Sequence, residues 1–399
     1  RTHTPDGLKD FRTVLEQVKQ HPSQRYFTLK SIVISNLYGV DIMDEALEIC
    51  KLRLSLKLVA QLEGYEQIAR LPDIDFNIKS GNTLVGFTSL SDVRDVITTN
   101  RSKQGNGESK LVMEEPQETF KNIEVMAEAA GVAFCQFQAM QINHCIRPEE
   151  FTNTKVNLHS RLEELADELN FYLASDYGVD PDTSVDYEKW LAGHKPFHWF
   201  TEFYGVMTSG GFNVIIGNPP YVRYGKIRSQ YKIRNYLTES TGNLYAFVME
   251  RAMAIAIPKA WLGMIVPIAS VSTGRMSKLQ SLYKSSLPKQ WHSHYATRPG
   301  KLFPGVDMNL TITIGQLKGT GVIPNTFTTT YYRWKDSPDS DRESLFYRLR
   351  FLALEVPSRH ANNFPKMGTN VESSILSKMH SHQKKLKDFY DDSAEPIFY

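Results

Sequence analysis

Four consecutive residues, Asn218, Pro219, Pro220 and Tyr221, combine the groups needed to act on an amino nitrogen attached to an aromatic ring. Such a nitrogen is a poor nucleophile, because its lone pair is delocalised into the ring. Two acceptors gripping its hydrogens favour a pyramidal nitrogen whose lone pair can attack in line. The Asn218 amide oxygen supplies one acceptor. A backbone carbonyl of the turn supplies the other, held outward because each proline fixes φ and lacks an N–H. Tyr221 adds a ring on which a base flipped out of a duplex can stack, a task that needs the ring and not the hydroxyl. A Pro-Pro loop with an Asx turn has the same letters and no chemistry. The apolar run over residues 212–216, closed by Gly217, favours the functional reading, because it puts the turn at the carboxyl end of a buried strand.

The rest of the chain must position that turn. Its 399 residues allow two domains or one enlarged α/β domain with an insertion. Residues 26–60 read as a βα unit: the apolar stretch over 31–35 leads through Gly39, Val40 and Asp41 into a largely apolar helix from Asp44 that suits packing on a sheet. A second βα-like piece falls at 76–82. Between about 90 and 205 long charged helices take over, with polar Gly-rich material near 103–108. Parallel-strand signal returns at 212–216, followed by a helix over 244–256 and a strand over 263–266 ended by Pro267. Beyond about 320 no clear period survives. The alternation predicts an α/β fold, a doubly wound parallel sheet with ligands at the carboxyl ends of its strands. The divisions expected are a core part over 1–89, a helical insertion over 90–205, a catalytic core part over 206–320 and the start of a recognition region over 321–399.

Composition sets limits. With 41% hydrophobic and 23% charged residues the chain resembles a soluble globular protein, and no apolar run is long enough to cross a bilayer. Cys50, Cys135 and Cys145 have neither zinc-site nor disulfide-framework spacing, which fits a reducing cytoplasm. A net charge of +2 means that a nucleic-acid partner would need a local basic face. Arg223, Lys226, Arg228, Lys232 and Arg234 offer one just after the catalytic turn, set against the bland alternative of a solvated loop. No metal site is expected: Asp73, Asp75 and Lys79 lack nuclease spacing, and His144 with Cys145, or His194 with His198, give two ligands only. The letters at 177–180 repeat those of 38–41 but follow a charged helix and run into Pro181, so they read as a loop.

Residues 212–223 resemble motif IV of the amino-methyltransferases in the form seen in adenine-N6 DNA enzymes of the large type IIG and BREX-like phage-defence group. The resemblance extends in order from about residue 26 onward. It implies a seven-stranded Rossmann-like methyltransferase sheet, S-adenosyl-L-methionine as cofactor, double-stranded DNA with a flipped adenine as substrate, and other defence-system subunits as possible partners. Residues 36–42 resemble motif II, so Asp41, with Ile42 beside it, takes the position that binds the cofactor ribose; a helix-start role is the alternative. Residues 77–84 resemble motif III, which sets Asn82 and Thr83 toward the cofactor adenine, and Asn218 is shared between cofactor and catalysis. Residues 242–250 and 263–268 resemble motifs V and VI, where Tyr245 and Phe247 are pocket or core. Residues 301–314 resemble motif VIII, and Phe303 is the aromatic implied beside the flipped base, along with Tyr221, Arg223 and Lys226. The segment 194–200 also looks like that group. The family's glycine-rich first motif has no counterpart before Asp41, which reads as an N-terminally incomplete chain. Rivals remain: a methyltransferase for RNA or protein glutamine, or a non-catalytic DNA-binding or scaffold fragment. Recognition is expected after residue 320, where 331–335 and 365–368 mix aromatic and basic side chains.

Overall fold

The structure, a computed structural model, describes residues 15–16, 18–62, 71–104, 116–142, 147–333, 344–354 and 363–381. Most of the helical reading over 8–20, residues 105–108, His144, Cys145, Trp334 and Lys335 lie outside the described residues. The chain forms two compact units, Arg1–Gly211 with Ile227–Arg234, and Phe212–Lys226 with Asn235–Tyr399.

In the first unit, α1 (Gln24–Asn36) starts at Ser23, whose hydroxyl accepts the Tyr26 N–H. Residues 31–35 therefore belong to a helix and not to the expected strand. Tyr26, Phe27, Lys30, Val33 and Ile34 are buried at helical spacing, a period that a five-residue apolar window cannot reveal. The strand is short: β1 (Gly39–Asp41) pairs in parallel with β2 (Ile78–Ser80), Asp41 opposite Ser80. Between them α2 (Asp44–Val59) buries Leu47 and Leu58 but leaves Ile49, Leu52 and Leu56 more than half exposed, so its apolar surface is only partly packed. Between residues 90 and 194 the described chain forms four helices, α3 (Leu90–Gln104), α4 (Pro116–Ile142), α5 (Pro148–Asp176) and α6 (Ser184–His194). On α5, Leu158, Leu162, Leu165, Leu169 and Leu173 recur every third or fourth position and form a buried stripe. Residues 177–180 form the expected loop. Asp73 and Asp75 pair with Lys155, Asp75 also with Lys51, and Lys79 with Glu202.

The second unit is a six-stranded sheet in the order β3-β4-β6-β5-β7-β8, with β3 (Phe212–Gly217), β4 (Ala256–Pro267), β5 (Lys289–Tyr295), β6 (Leu310–Gln316), β7 (Asn325–Tyr332) and β8 (Leu352–Ala353). The sheet is mixed, not all parallel. The α-helix α7 (Leu244–Ala254) carries the chain from β3 to a parallel β4, and α8 (Ser277–Ser286) follows β4. No helix intervenes between β5 and β6, so β6 returns antiparallel to both its neighbours. Strand β4 begins well before residue 263. The stretch after 320 also differs from its reading, since β7 runs parallel to β5 in the same sheet. One sheet face packs on α7 and α8 through Ala246, Met249, Leu262, Met264, Val266, Leu279 and Tyr283. A last helix, α9 (Asn370–Ser381), ends the described chain.

Candidate active site

In the second unit, Asn218 follows directly on β3 and is exposed, Pro219 is buried, and Tyr221 is half-buried. The Tyr221 hydroxyl lies 2.7 Å from Asn218 Oδ1 and 3.0 Å from the Ile265 carbonyl on β4. Having one hydrogen, it donates to either acceptor or is shared between them. Burial pushes this phenol up to about 12, so it remains a donor at neutral pH. An amide oxygen has two lone pairs. The bond from Tyr221 therefore orients Asn218 Oδ1 while leaving acceptor capacity for an incoming amine. The sequence reading gave Tyr221 a ring's role only; an i, i+3 bond across a Pro-Pro turn has no signature in the letters.

Beyond the turn the chain is tied to the start of α7. Leu244 N–H donates to Val222 O, Tyr224 N–H donates to Gly242 O, and Arg223 bridges to Asn243. Gly242 has φ +61°, and a Cβ there would meet Arg275 Nη2 at 3.0 Å. Arg223 and Lys226 are exposed on this short segment. The basic run divides between the units, with Arg228, Lys232 and Arg234 in the first. There Lys232 N–H donates to His194 Nε2, and Arg234 donates to the Asp176 carbonyl with its guanidinium 4.9 Å over the Tyr177 ring. Phe303 and Tyr221 pack on the same apolar cluster of Tyr295, Leu302, Leu310 and Leu345. Tyr245 and Phe247 are core, buried to 2% and 0% exposure.

In the first unit, Asp41 ends β1 exposed, and its Oδ1 accepts the Met43 N–H at 2.9 Å, an Asx turn leading into α2. Ile42 beside it is 38% exposed. Asp44, at the start of α2, is held below the usual carboxylate range by hydrogen bonds from Ser80 and Lys195. Asn82 is 3% exposed; its N–H donates to Lys195 O, and its Oδ1 accepts the Leu84 N–H. That last bond identifies Nδ2 as the amide's donor end, and Nδ2 is buried with no partner. A buried orphan donor near a strand-end carboxylate suits a nucleoside, the donor for a ring nitrogen and the carboxylate for a pair of hydroxyls. Thr83 is half-buried, with its carbonyl accepting the Trp199 indole N–H at 3.2 Å. Residues 194–200 thus touch the site. The sequence showed their likeness to the group but gave them no role.

Residues 35–294 match the Eco57I restriction-modification methylases, and the chain belongs to that family. Over 283 residues it is 30% identical to a putative type II restriction enzyme and methyltransferase of Methanocaldococcus jannaschii, a match covering 62% of this chain and 23% of that protein. The chain therefore spans about a quarter of its relative's length. Likeness to solved structures is remote. The DrdV–DNA complex gives a TM-score of 0.29 at 13% identity, covering 40% of this chain and 19% of that one. A modification subunit of a putative type I restriction enzyme from Vibrio vulnificus YJ016 gives 0.29 at 10%, covering 92% and 97%.

Proposed function

We propose that this chain is the catalytic part of an S-adenosyl-L-methionine-dependent DNA methyltransferase acting on the N6 amino group of adenine in double-stranded DNA, within a restriction-modification or phage-defence system of type IIG or BREX-like character. The observation that carries the reading is the Asn218 carboxamide at the carboxyl end of β3, oriented by the Tyr221 hydroxyl, in a chain of a methylase family.

When bound, the cofactor supplies an electrophilic methyl group on a sulfonium centre. Asp41 would accept hydrogen bonds from its ribose hydroxyls, Asn82 Nδ2 would donate to its adenine ring, and Ile42 and Thr83 would help hold that base. Asn218 Oδ1 and a turn carbonyl accept the two hydrogens of the target amine, localising its lone pair for attack. Tyr221 and Phe303 enclose the flipped base, while Arg223 and Lys226 face phosphates. Residues 1–89 and 206–320 each contribute to the methyltransferase core, with 90–205 inserted; because β7 continues the sheet of the second unit past residue 320, recognition is assigned to the chain after that strand. Among the described residues no helix is long and apolar enough to cross a membrane, and a cytoplasmic enzyme completes the proposal.

The test is transfer of tritiated methyl from S-adenosyl-L-methionine by the intact protein. Label on adenine N6 in duplex DNA is expected. Label on cytosine, RNA or protein glutamine would overturn the substrate, and no transfer at all would favour a non-catalytic DNA-binding role.

A further inference from the structure

Residues 195–199 run beside the loop that follows β2 and bond to it along their length. Asn82 N–H donates to Lys195 O at 2.8 Å, Phe197 N–H to Val85 O at 2.8 Å, and Trp199 N–H to Phe87 O at 2.9 Å. Asn82 and Pro196 form a parallel bridge. Two side chains add to the ladder. Trp199 Nε1–H donates to Thr83 O at 3.2 Å, and Phe87 N–H donates to His198 Nδ1 at 3.2 Å. The approach is close enough to require glycine: a Cβ on Gly86 (φ +127°) would lie 2.2 Å from Phe197 O, and one on Gly81 (φ +157°) would lie 2.7 Å from the Phe197 ring.

The rail is itself anchored. With Nδ1 accepting, His198 presents Nε2–H to Asn170 Oδ1 on α5 at 3.1 Å, and the ring stacks on Phe87 at 5.3 Å. Lys195 caps α6 in the left-handed region and reaches Asp44 Oδ2 at 3.3 Å. The rail thus ties the insertion's helices to the loop carrying Asn82, whose Nδ2 has no protein partner.

We propose that the segment 195–199, through the Trp199 indole and the Lys195 carbonyl, is a positioning element for the cofactor: it fixes the Asn82–Thr83 backbone on both sides so that Nδ2 of Asn82 is presented in one orientation. This rests on the cofactor reading given above. The helical insertion then contributes to catalysis by holding one loop, and Trp199 acts through Asn82 and Thr83 without touching a reacting atom.

The experiment titrates S-adenosylhomocysteine by calorimetry into the intact protein and its variants. Trp199→Phe keeps an aromatic ring and deletes the N–H; its Kd should rise about 3–10-fold, the loss of one hydrogen bond, with a smaller change in turnover at saturating cofactor. Phe151→Leu, which loosens the cluster of Phe76, Phe137 and Phe151, a cluster that includes none of residues 82–87, should lower Tm and leave Kd nearly unchanged. Asp41→Ala tests the underlying reading and should weaken binding on its own. If Asp41→Ala binds like wild type, the cofactor reading falls and this inference with it. If Asp41→Ala weakens binding but Trp199→Phe does not, or if Phe151→Leu raises Kd as much as Trp199→Phe, the inference alone is overturned. Should Trp199→Phe fail to fold, hydrogen exchange on the wild type decides. The ligand should slow the amides of residues 82–87 together with those of 197 and 199, and protection of the first group alone would contradict the proposal.

Discussion

The proposed cofactor loop of the first unit and the proposed catalytic turn of the second are built in different ways. Asn82, in the first unit, is almost fully enclosed, and its loop is held by backbone pairing to residues more than a hundred positions away. Asn218, in the second, is exposed and is oriented by a hydroxyl three residues along its own turn. The difference matches what each must receive. A cofactor that stays through the reaction is served by a preorganised wall. A base that has to leave the duplex needs an open turn whose acceptor is already aimed.

The comparison breaks most visibly at Asn218. In the proposed reaction, replacing it by alanine removes an acceptor for the target amine, and turnover should fall by about 10²–10³-fold, the loss typical of one preorganised polar contact. DNA affinity, measured by fluorescence anisotropy, should survive. Equal losses in affinity and turnover would mean that Asn218 is a binding residue.

Tyr221 should respond in two stages. Alanine removes a stacking surface worth about 1–3 kcal/mol per base, so both turnover and the fluorescence of 2-aminopurine at the target position should change. Phenylalanine keeps the ring but loses the bonds to Asn218 and Ile265, worth about 0.5–1.5 kcal/mol. The larger share of function should therefore return with Phe. If Phe were as damaging as Ala, the hydroxyl and not the ring would be what matters.

The units should also differ in acid. His292 and His294 lie side by side on β5, bonded to Thr313, Gln290, Thr311 and Thr328, and burial pushes both down to about 3. In the unfolded chain they titrate near 6.5. The unfolded state binds more protons between those limits, so their contribution is complete above about pH 6.5 and is lost progressively toward pH 3. Among the described residues of the first unit, burial pushes His198 down to about 3 and also lowers His194. Hydrogen exchange followed from pH 7 to pH 5 should show β5 and β6 losing protection more steeply than α5. A steeper loss in α5 would contradict the assignment.

How legible these features were depended on their range in sequence. Residues 212–221 could be read because an apolar strand and two prolines fall within ten positions, each constraining its neighbour. Residues 31–35 misled because α1 shows its period only over thirteen residues, with Ser23 as the start signal. Strand β7 was hidden because Thr328 and Thr329 are buried: threonines that bond to His294 inside the sheet look like surface residues in a string of letters. The rail over 195–199 could not be inferred at all, since its partners lie far back in the chain and meet it through backbone atoms. Asp41, Asn82 and Phe303 were named through family resemblance, and only the orphan Nδ2 adds a physical reason for Asn82.

The central claim is a division of labour between these residues, and it is tested most directly by measuring cofactor Kd and saturated turnover side by side in Asp41→Asn and Asn218→Ala. The account predicts a crossed result. Asp41→Asn should raise Kd by about 10–100-fold, as for hydrogen bonds to a charged group worth roughly 1.5–3 kcal/mol, while turnover at saturation is largely kept; Asn218→Ala should collapse turnover with a rise in Kd well below that of Asp41→Asn. Both substitutions moving the same constant to the same extent would contradict it.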